Sequence, residues 1–183
     1  LGDVYKRQLL ADLADLDQVE AIGRELNDQG EAIDGLLLNA GLQYAGHRQV
    51  RRSAQGVELT IAVNHLAHQR LLMDLLPLLH QSAAPRVVIT ASEVHNPASG
   101  GGRVGRPACL GDLSGLEQRS EMVNGEPPFD ADKAYKDSKL CNLLMGRHLA
   151  RLQPQWPVIC WSPGLVIPRS RDGFFRNSRE ANP

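Results

Sequence analysis

Three short apolar runs, each closed by turn-forming residues, decide most of what this chain can fold into. They are "AIDGLLLNAG", ending at Gly41, "PRVVITAS", ending at Ser92, and "PVICWSPG", ending at Gly164. Continuous runs of that length fit strands buried on both faces of a sheet. Helical periodicity fills the segments between them. Leu16, Val19, Ile22 and Leu26 recur at helix spacing, with Asp15 or Asp17 as the cap and Gly30 as the terminator. "SAQGVELTIAVNHLAHQRLLMDLLPLL" predicts one long helix opened by Ser53 and ended near Pro77, and a further helix ends near Leu152. Helix and strand alternate throughout, which predicts an α/β fold with parallel strands and helices on both faces of the sheet. In such sheets ligands bind at the carboxyl ends of the strands. Those ends carry Asn39, Ala40 and Gly41, then Ser92, then Pro163 and Gly164.

Composition removes several classes of function. The 183 residues hold 20 basic and 21 acidic side chains without a basic block, so there is no electrostatic footprint for nucleic acid. Aromatics make up 4%, too few for a single-strand stacking platform. The longest apolar run, "LLMDLLPLL", is broken by Asp74 and Pro77 and is far short of a membrane span. Cys109, Cys141 and Cys160 lack CxxC spacing, which argues against a disulfide framework or a zinc knuckle and for a reducing, cytoplasmic setting. His65 and His68 have no carboxylate or cysteine at ligand spacing, so they read as helix-surface histidines and no metal is expected. Trp156 and Trp161 read as packing residues, and Ser162 near Asp172 has no paired histidine for a hydrolase triad.

Both ends read as cut. "LGDVYKRQ", residues 1–8, has no apolar periodicity and resembles a linker-derived string, with a natural N-terminal arm as the alternative. That leaves 9–183 as a partial domain, with a long polar, glycine-rich insertion at about 93–130.

The chemistry concentrates in "DKAYKDSKLCNLL", Asp132 to Leu144. Tyr135 and Lys139 stand at i and i+4 and share one helix face. The apolar stripe of the helix reads as Cys141, Leu144, Met145, His148, Leu149 and Leu152, on a different side. An ammonium beside a phenol favours phenolate and lowers the tyrosine pKa toward neutrality, as proton exchange requires. Taken alone, the pair fits a solvated helix edge better than a catalytic dyad.

Its neighbours supply the context. Asn39-Ala40-Gly41 after a strand, Asn64 in "AVNHLAH", Ser92 at a strand end, "YKDSK" and then "SPG" occur in that order. In this the chain resembles the short-chain dehydrogenase/reductases over nearly everything after residue 8. The resemblance implies a Rossmann-type doubly wound parallel sheet lacking its N-terminal βαβ unit and its C-terminal end. It implies a nicotinamide cofactor, with Tyr135 as proton donor or acceptor and Lys139 holding the nicotinamide ribose and lowering the tyrosine pKa. Ser92 would orient the substrate oxygen, and Asn64 would hold a water in the proton relay. Asn39, Ala40 and Gly41 would line the adenosine side, and Asp12 would contact the adenine ring unless it caps a helix. Pro163, Gly164 and Val166 complete the implied cofactor-binding set.

A narrower resemblance follows from the insertion. Tyr135 lies 43 positions beyond Ser92, and a loop of that length in a compact domain is commonly functional or disordered. Its "LGDLSGLE", the following "KAYKDSKLCN" and the later "GFFRNSR" are similar to the light-dependent protochlorophyllide reductases. This implies NADPH as hydride donor, protochlorophyllide as the small-molecule substrate, and a location extending to the periphery of photosynthetic membranes, with a homo-oligomer left open. Two positions depart from the pattern. Leu165 stands where those enzymes have a cysteine, and Pro168 stands where many family members have a threonine. An ordinary carbonyl or alcohol dehydrogenase is therefore the first rival, and a non-catalytic nucleotide-binding relative the second. The residue that chooses between NAD and NADP lies in a glycine loop not represented in the chain.

Overall fold

The computed structural model describes residues 5–164. Within them the chain runs α1 (Leu16–Gln29), β1 (Gly35–Leu38), α2 (Leu59–Ile61), a π-helical segment (Ala62–Leu66) and α3 (Ala67–Gln81). It continues through β2 (Arg86–Thr90), a 3-10 turn (Glu93–His95), α4 (Ser114–Glu117), α5 (Ala131–Leu152) and β3 (Val158–Trp161). The strands form one parallel sheet in the order β1-β2-β3, the α/β Rossmann-type architecture. Helix α1 ends as its sequence dictates. The Asp15 carboxylate accepts from Asp17 N–H, and Gly30 adopts φ 68° while its own N–H reaches the carbonyls of Leu26 and Asn27.

The next helix departs from expectation at both ends. Ser53 does not open it, because its hydroxyl accepts from Val57 N–H and closes a preceding turn. The cap is buried Glu58, whose carboxylate accepts from Thr60 N–H and Ile61 N–H while the Tyr44 hydroxyl donates to it. Pro77 does not end it either; α3 continues to Gln81. Pro77 and Met73, four residues before it, both lie on the solvent side, so the carbonyl that loses its donor there can be hydrated.

Within the described residues the helices cover one face of the sheet, not both. Each crossover steps one strand in the same direction, and right-handed connections then place α3 and α5 on the same side. Leu72 and Leu79 of α3 and Leu149 of α5 pack on Leu38, Val87 and Ile89. The opposite row, Leu37, Val88 and Ile159, is in register across all three strands, yet Leu37 is 61% and Ile159 51% exposed. Strands β1 and β3 are thus half-buried elements. Trp161 is also exposed at 43%, whereas Trp156 is partly buried and packs against His80 with ring centroids 4.7 Å apart.

The stripe expected on α5 is displaced. Leu144, His148 and Leu152 face outward, and the buried ridge is Ala134, Ser138, Cys141, Asn142, Gly146 and Leu149. Gly146 sets this orientation: a Cβ there would fall 2.2 Å from Cys160 Sγ and 3.3 Å from Ile89 Cδ1. Only a residue without a side chain lets the helix backbone approach β2 and β3 this closely. The insertion is an ordered lobe. Met122 and Phe129 join Tyr44, Ala131 and Ala134 in a second core, and the Phe129 ring stacks on Tyr44 at 5.7 Å.

Candidate active site

Strand β2 ends at the point where the polar residues meet. The Thr90 carbonyl accepts from Lys139 Nζ at 3.1 Å and from Asn142 Nδ2 at 3.3 Å. Its hydroxyl donates to Asn39 Oδ1 at 2.9 Å and accepts from Trp161 Nε1 at 3.0 Å. One residue therefore stitches together the carboxyl ends of all three strands. Neither Thr90 nor Asn142 was expected from sequence, although Asn142 stands at i+3 from Lys139, on its helix face.

Tyr135 and Lys139 do share a face, and the Lys139 ammonium lies 5.5 Å from the centroid of the Tyr135 ring. Burial pushes the Tyr135 phenol above its ordinary pKa, and the Ser92 hydroxyl works in the opposite direction. Burial outweighs the Ser92 hydroxyl, so the phenol stands above its ordinary pKa, contrary to the lowering expected from Lys139. Lys139 itself is 3% exposed, and burial brings its pKa down to about 8. Among the described residues one of its three N–H donors is given to Thr90, which leaves two for a ligand. Gly41 lies directly alongside: a Cβ there would meet Asn64 Oδ1 at 3.3 Å and Lys139 Nζ at 3.5 Å. Exposed Asn39, Ala40 and Gly41 keep this edge low enough for a ribose to approach the lysine, so the residues present fit a nicotinamide nucleotide.

Asn64 lies in the π-helical segment, where Ala67 N–H reaches back to the Ala62 carbonyl. Its fully buried amide grips the backbone after β1. Oδ1 accepts from Leu42 N–H at 2.7 Å, and Nδ2 donates to the Leu42 carbonyl and to Ser138 Oγ. Both amide hydrogens are committed, so the side chain works as a brace between the Gly41 turn and α5. Ser138 Oγ in turn donates to the Tyr135 carbonyl at 2.7 Å. Ser92 is half-buried, and its carbonyl meets His95 Nδ1, a partner to which sequence assigned no role.

The helix-surface expectation for the two histidines is overturned. His68 is 3% exposed with Nδ1 unpartnered among the described residues, and His65 Nδ1 meets Asn142 Oδ1 at 3.1 Å. The π segment and α5 pack together here and enclose both rings. Burial lowers the His65 pKa, and it lowers His68 to about 4, with the nearby charges of Lys139 and His65 adding to the effect. No cluster of three metal-ligating side chains exists among the described residues.

Other expected residues stand apart. Asp12 is exposed and its carboxylate accepts from Ala14 N–H, closing a turn before α1; the cap is Asp15. Pro163 and exposed Gly164, at φ 73°, follow β3 at the carboxyl edge. Val166, Leu165, Pro168 and "GFFRNSR" lie outside the described residues. What sequence reading missed altogether is the other face of α5, where Lys133, Lys136 and Asp137 are buried against the insertion.

The fold is that of solved short-chain dehydrogenases, and the sequence similarities lie with protochlorophyllide reductases. Its sequence is 38% identical to protochlorophyllide reductase A, chloroplastic, of Oryza sativa subsp. japonica over 176 residues, 90% of this chain and 45% of that protein. It is 39% identical to the protochlorophyllide reductase of Avena sativa over 176 residues, 90% of this chain and 55% of that protein. The chain thus spans about half the length of the curated relatives it matches. Among solved structures, a short-chain dehydrogenase from Shigella flexneri superposes with a TM-score of 0.58 at 24% identity, over 88% of this chain and 52% of that one. The Pseudomonas aeruginosa RhlG/NADP active-site complex gives 0.59 at 21% identity, over 88% and 54%. No protein-family model matches the sequence.

Proposed function

We propose that the protein is an NADPH-dependent, light-driven reductase of protochlorophyllide, forming chlorophyllide. The observation that carries the oxidoreductase part is the meeting of the Tyr135 phenol, the Lys139 ammonium and the Ser92 hydroxyl beside the Gly41 turn. The relatives named for this reaction carry the pigment part. When bound, NADPH supplies the hydride. Lys139, with two donors free of Thr90, would hold the nicotinamide ribose, and Asn39, Ala40, Gly41, Pro163, Gly164 and Val166 would line the nucleotide. Asp12 would have to leave its own turn to reach the adenine.

The raised pKa keeps the Tyr135 phenol protonated but makes it a weaker acid than the lowered pKa expected of the dyad. At neutral pH the phenol keeps its proton and has one to donate to the developing carbanion. Ser92 orients the substrate oxygen, and Lys139 carries its own proton below about pH 8. Asn64 holds the Gly41 turn and α5 at a fixed separation. No helix among the described residues is long and apolar enough to cross a membrane; the chloroplastic relatives support a place at photosynthetic membranes under this reading.

Leu165 favours a second reading, because leucine cannot replace a proton-donating thiol: a light-independent reductase of a carbonyl compound, using the same three groups. The two separate in one experiment. The protein is mixed with NADPH and protochlorophyllide in darkness, given one flash, and its absorption spectrum recorded. A red shift to the chlorophyllide band supports the pigment reductase. An unchanged spectrum with NADPH bound supports the carbonyl reductase.

A further inference from the structure

The residue after the tyrosine carries an unusual load. The Lys136 ammonium is buried, 4% exposed, and among the described residues it meets backbone carbonyls and no carboxylate. Its three N–H groups go instead to three backbone carbonyls of the insertion: Gly102 at 3.3 Å, Arg106 at 3.1 Å, and Val104. An ammonium has three donors, so none remains for substrate or cofactor. Beside it, Lys133 Nζ donates to the Cys109 carbonyl at 2.9 Å and to Asp137, whose other oxygen accepts from Cys109 N–H at 2.8 Å. Residues 133, 136 and 137 form one face of α5 and hold the backbone from Gly102 to Cys109. Tyr135 and Lys139 occupy the adjoining face.

The held segment connects to Glu93, the residue after Ser92, through a short chain of hydrogen bonds. Gly102 N–H donates to Ser99 Oγ at 2.9 Å, and that hydroxyl is shared between the carbonyls of Glu93 and Asn96, each at 2.9 Å. Gly102 is packed so closely on this turn that a Cβ would fall 1.8 Å from the Asn96 carbonyl oxygen. Glu93 is the residue after Ser92, and its N–H donates to Ser162 Oγ at 3.2 Å beyond β3. A path thus runs from the helix that carries the phenol, through a buried cation, to the backbone of Glu93, the neighbour of Ser92.

We propose that Lys136 is a positioning residue: by gathering three insertion carbonyls onto α5 it fixes Ser92 relative to Tyr135, and so makes the insertion a built wall of the substrate site. The inference rests on the proposed reduction for its activity readout, but the clamp itself can be read without substrate. Replacing Lys136 by Met keeps the aliphatic stem and leaves the three carbonyls without their donor. Replacing it by Arg keeps a cation with several donors.

The test uses the intact protein. Tryptic cleavage after exposed Arg103 and amide exchange at Glu93 report the clamp. The flash reaction with NADPH and protochlorophyllide reports positioning, normalised to NADPH-binding sites. Lys136→Met is expected to speed both cleavage and Glu93 exchange, and to lower turnover by about tenfold or more, as misplacement of reacting groups does. NADPH affinity should stay within about twofold, because the nucleotide edge around Gly41 and Lys139 is untouched. Lys136→Arg is expected to restore slow exchange and most of the turnover. A merely structural lysine would lower the folded fraction and leave turnover per binding site unchanged, and that result overturns the proposal. So does unchanged exchange at Glu93. If Lys136→Met does not accumulate folded, Lys136→Gln, which retains an amide donor, is judged by the same readouts. If the parent protein reduces no protochlorophyllide, the reaction reading fails by itself; faster Glu93 exchange in Lys136→Met then still supports the clamp, and unchanged exchange overturns it.

Discussion

Acid should unfold this protein through one buried histidine. His68 is held neutral: burial, aided by the charges of Lys139 and His65, lowers its pKa from 6.5 to about 4. In the unfolded chain the same ring takes up a proton as the pH falls through 6.5, while the folded ring stays neutral until about pH 4. Stability from this group is therefore fully present above pH 6.5 and is lost progressively as the pH falls toward 4. From the two pKa values, the loss is about 2 kcal/mol between pH 7 and pH 5, and roughly 3 kcal/mol once the folded ring is also protonated. His68→Leu removes the titrating group and, with it, an Nδ1 that has no partner among the described residues. Urea unfolding at pH 7 and pH 5, compared between parent and variant, isolates the difference whatever the variant costs at neutral pH. The parent is expected to lose about 2 kcal/mol more than His68→Leu over that interval. His65, also shifted downward by burial, remains in both proteins and cancels. Equal losses in the two proteins would refute the reasoning, because they would mean that His68 titrates alike in the folded and unfolded states.

Lys139 should give the opposite kind of pH dependence in the free enzyme. Its ammonium loses its proton as the pH rises through about 8, so NADPH affinity, measured by nucleotide fluorescence, should weaken across that range. Lys139→Arg, which stays charged, should bind with little change between pH 7 and pH 9. Gly146→Ala would drive a methyl into Cys160 Sγ, 2.2 Å away, and should cost about 1–3 kcal/mol or more by thermal or urea unfolding. Adding Cys160→Ala opens that space, and recovery of most of the loss is the expected outcome; no recovery would mean that the contact with Ile89 or the helix backbone dominates.

What could be read from the sequence was whatever is decided within a few residues. Asp15 and Gly30 bracket α1 because capping is local hydrogen bonding, and three short apolar runs became three parallel strands because length and flanking turns leave few alternatives. The i, i+4 relation of Tyr135 and Lys139 is fixed by helix geometry alone. The parts that were not legible depend on partners far along the chain. Ser53 has the chemistry of a cap, but Val57 claims its hydroxyl, and Glu58 takes the role because Tyr44 supports it from the preceding loop. Lys133, Lys136 and Asp137 look like a solvated charged face. They are buried because Gly102 to Cys109, roughly thirty residues earlier, fold over them. The α5 stripe was misplaced for a related reason: Gly146 brings the backbone, rather than leucines, against Cys160. Tyr135 shows the same limit in electrostatics. Sequence places a cation near the phenol, but the degree of burial, which raises its pKa, comes from the packed whole.

The account stands or falls on Tyr135 as the proton donor of a dyad with Lys139. In the intact protein, Tyr135→Phe removes one hydroxyl from a half-buried ring and leaves the Lys139 contact with Thr90 in place. NADPH titration followed by a single-turnover flash with bound protochlorophyllide, parent beside variant, separates binding from chemistry. Nucleotide affinity within about twofold of the parent, with turnover reduced by roughly a hundredfold or more, is the predicted result. Turnover at the parental rate with phenylalanine in place would contradict it.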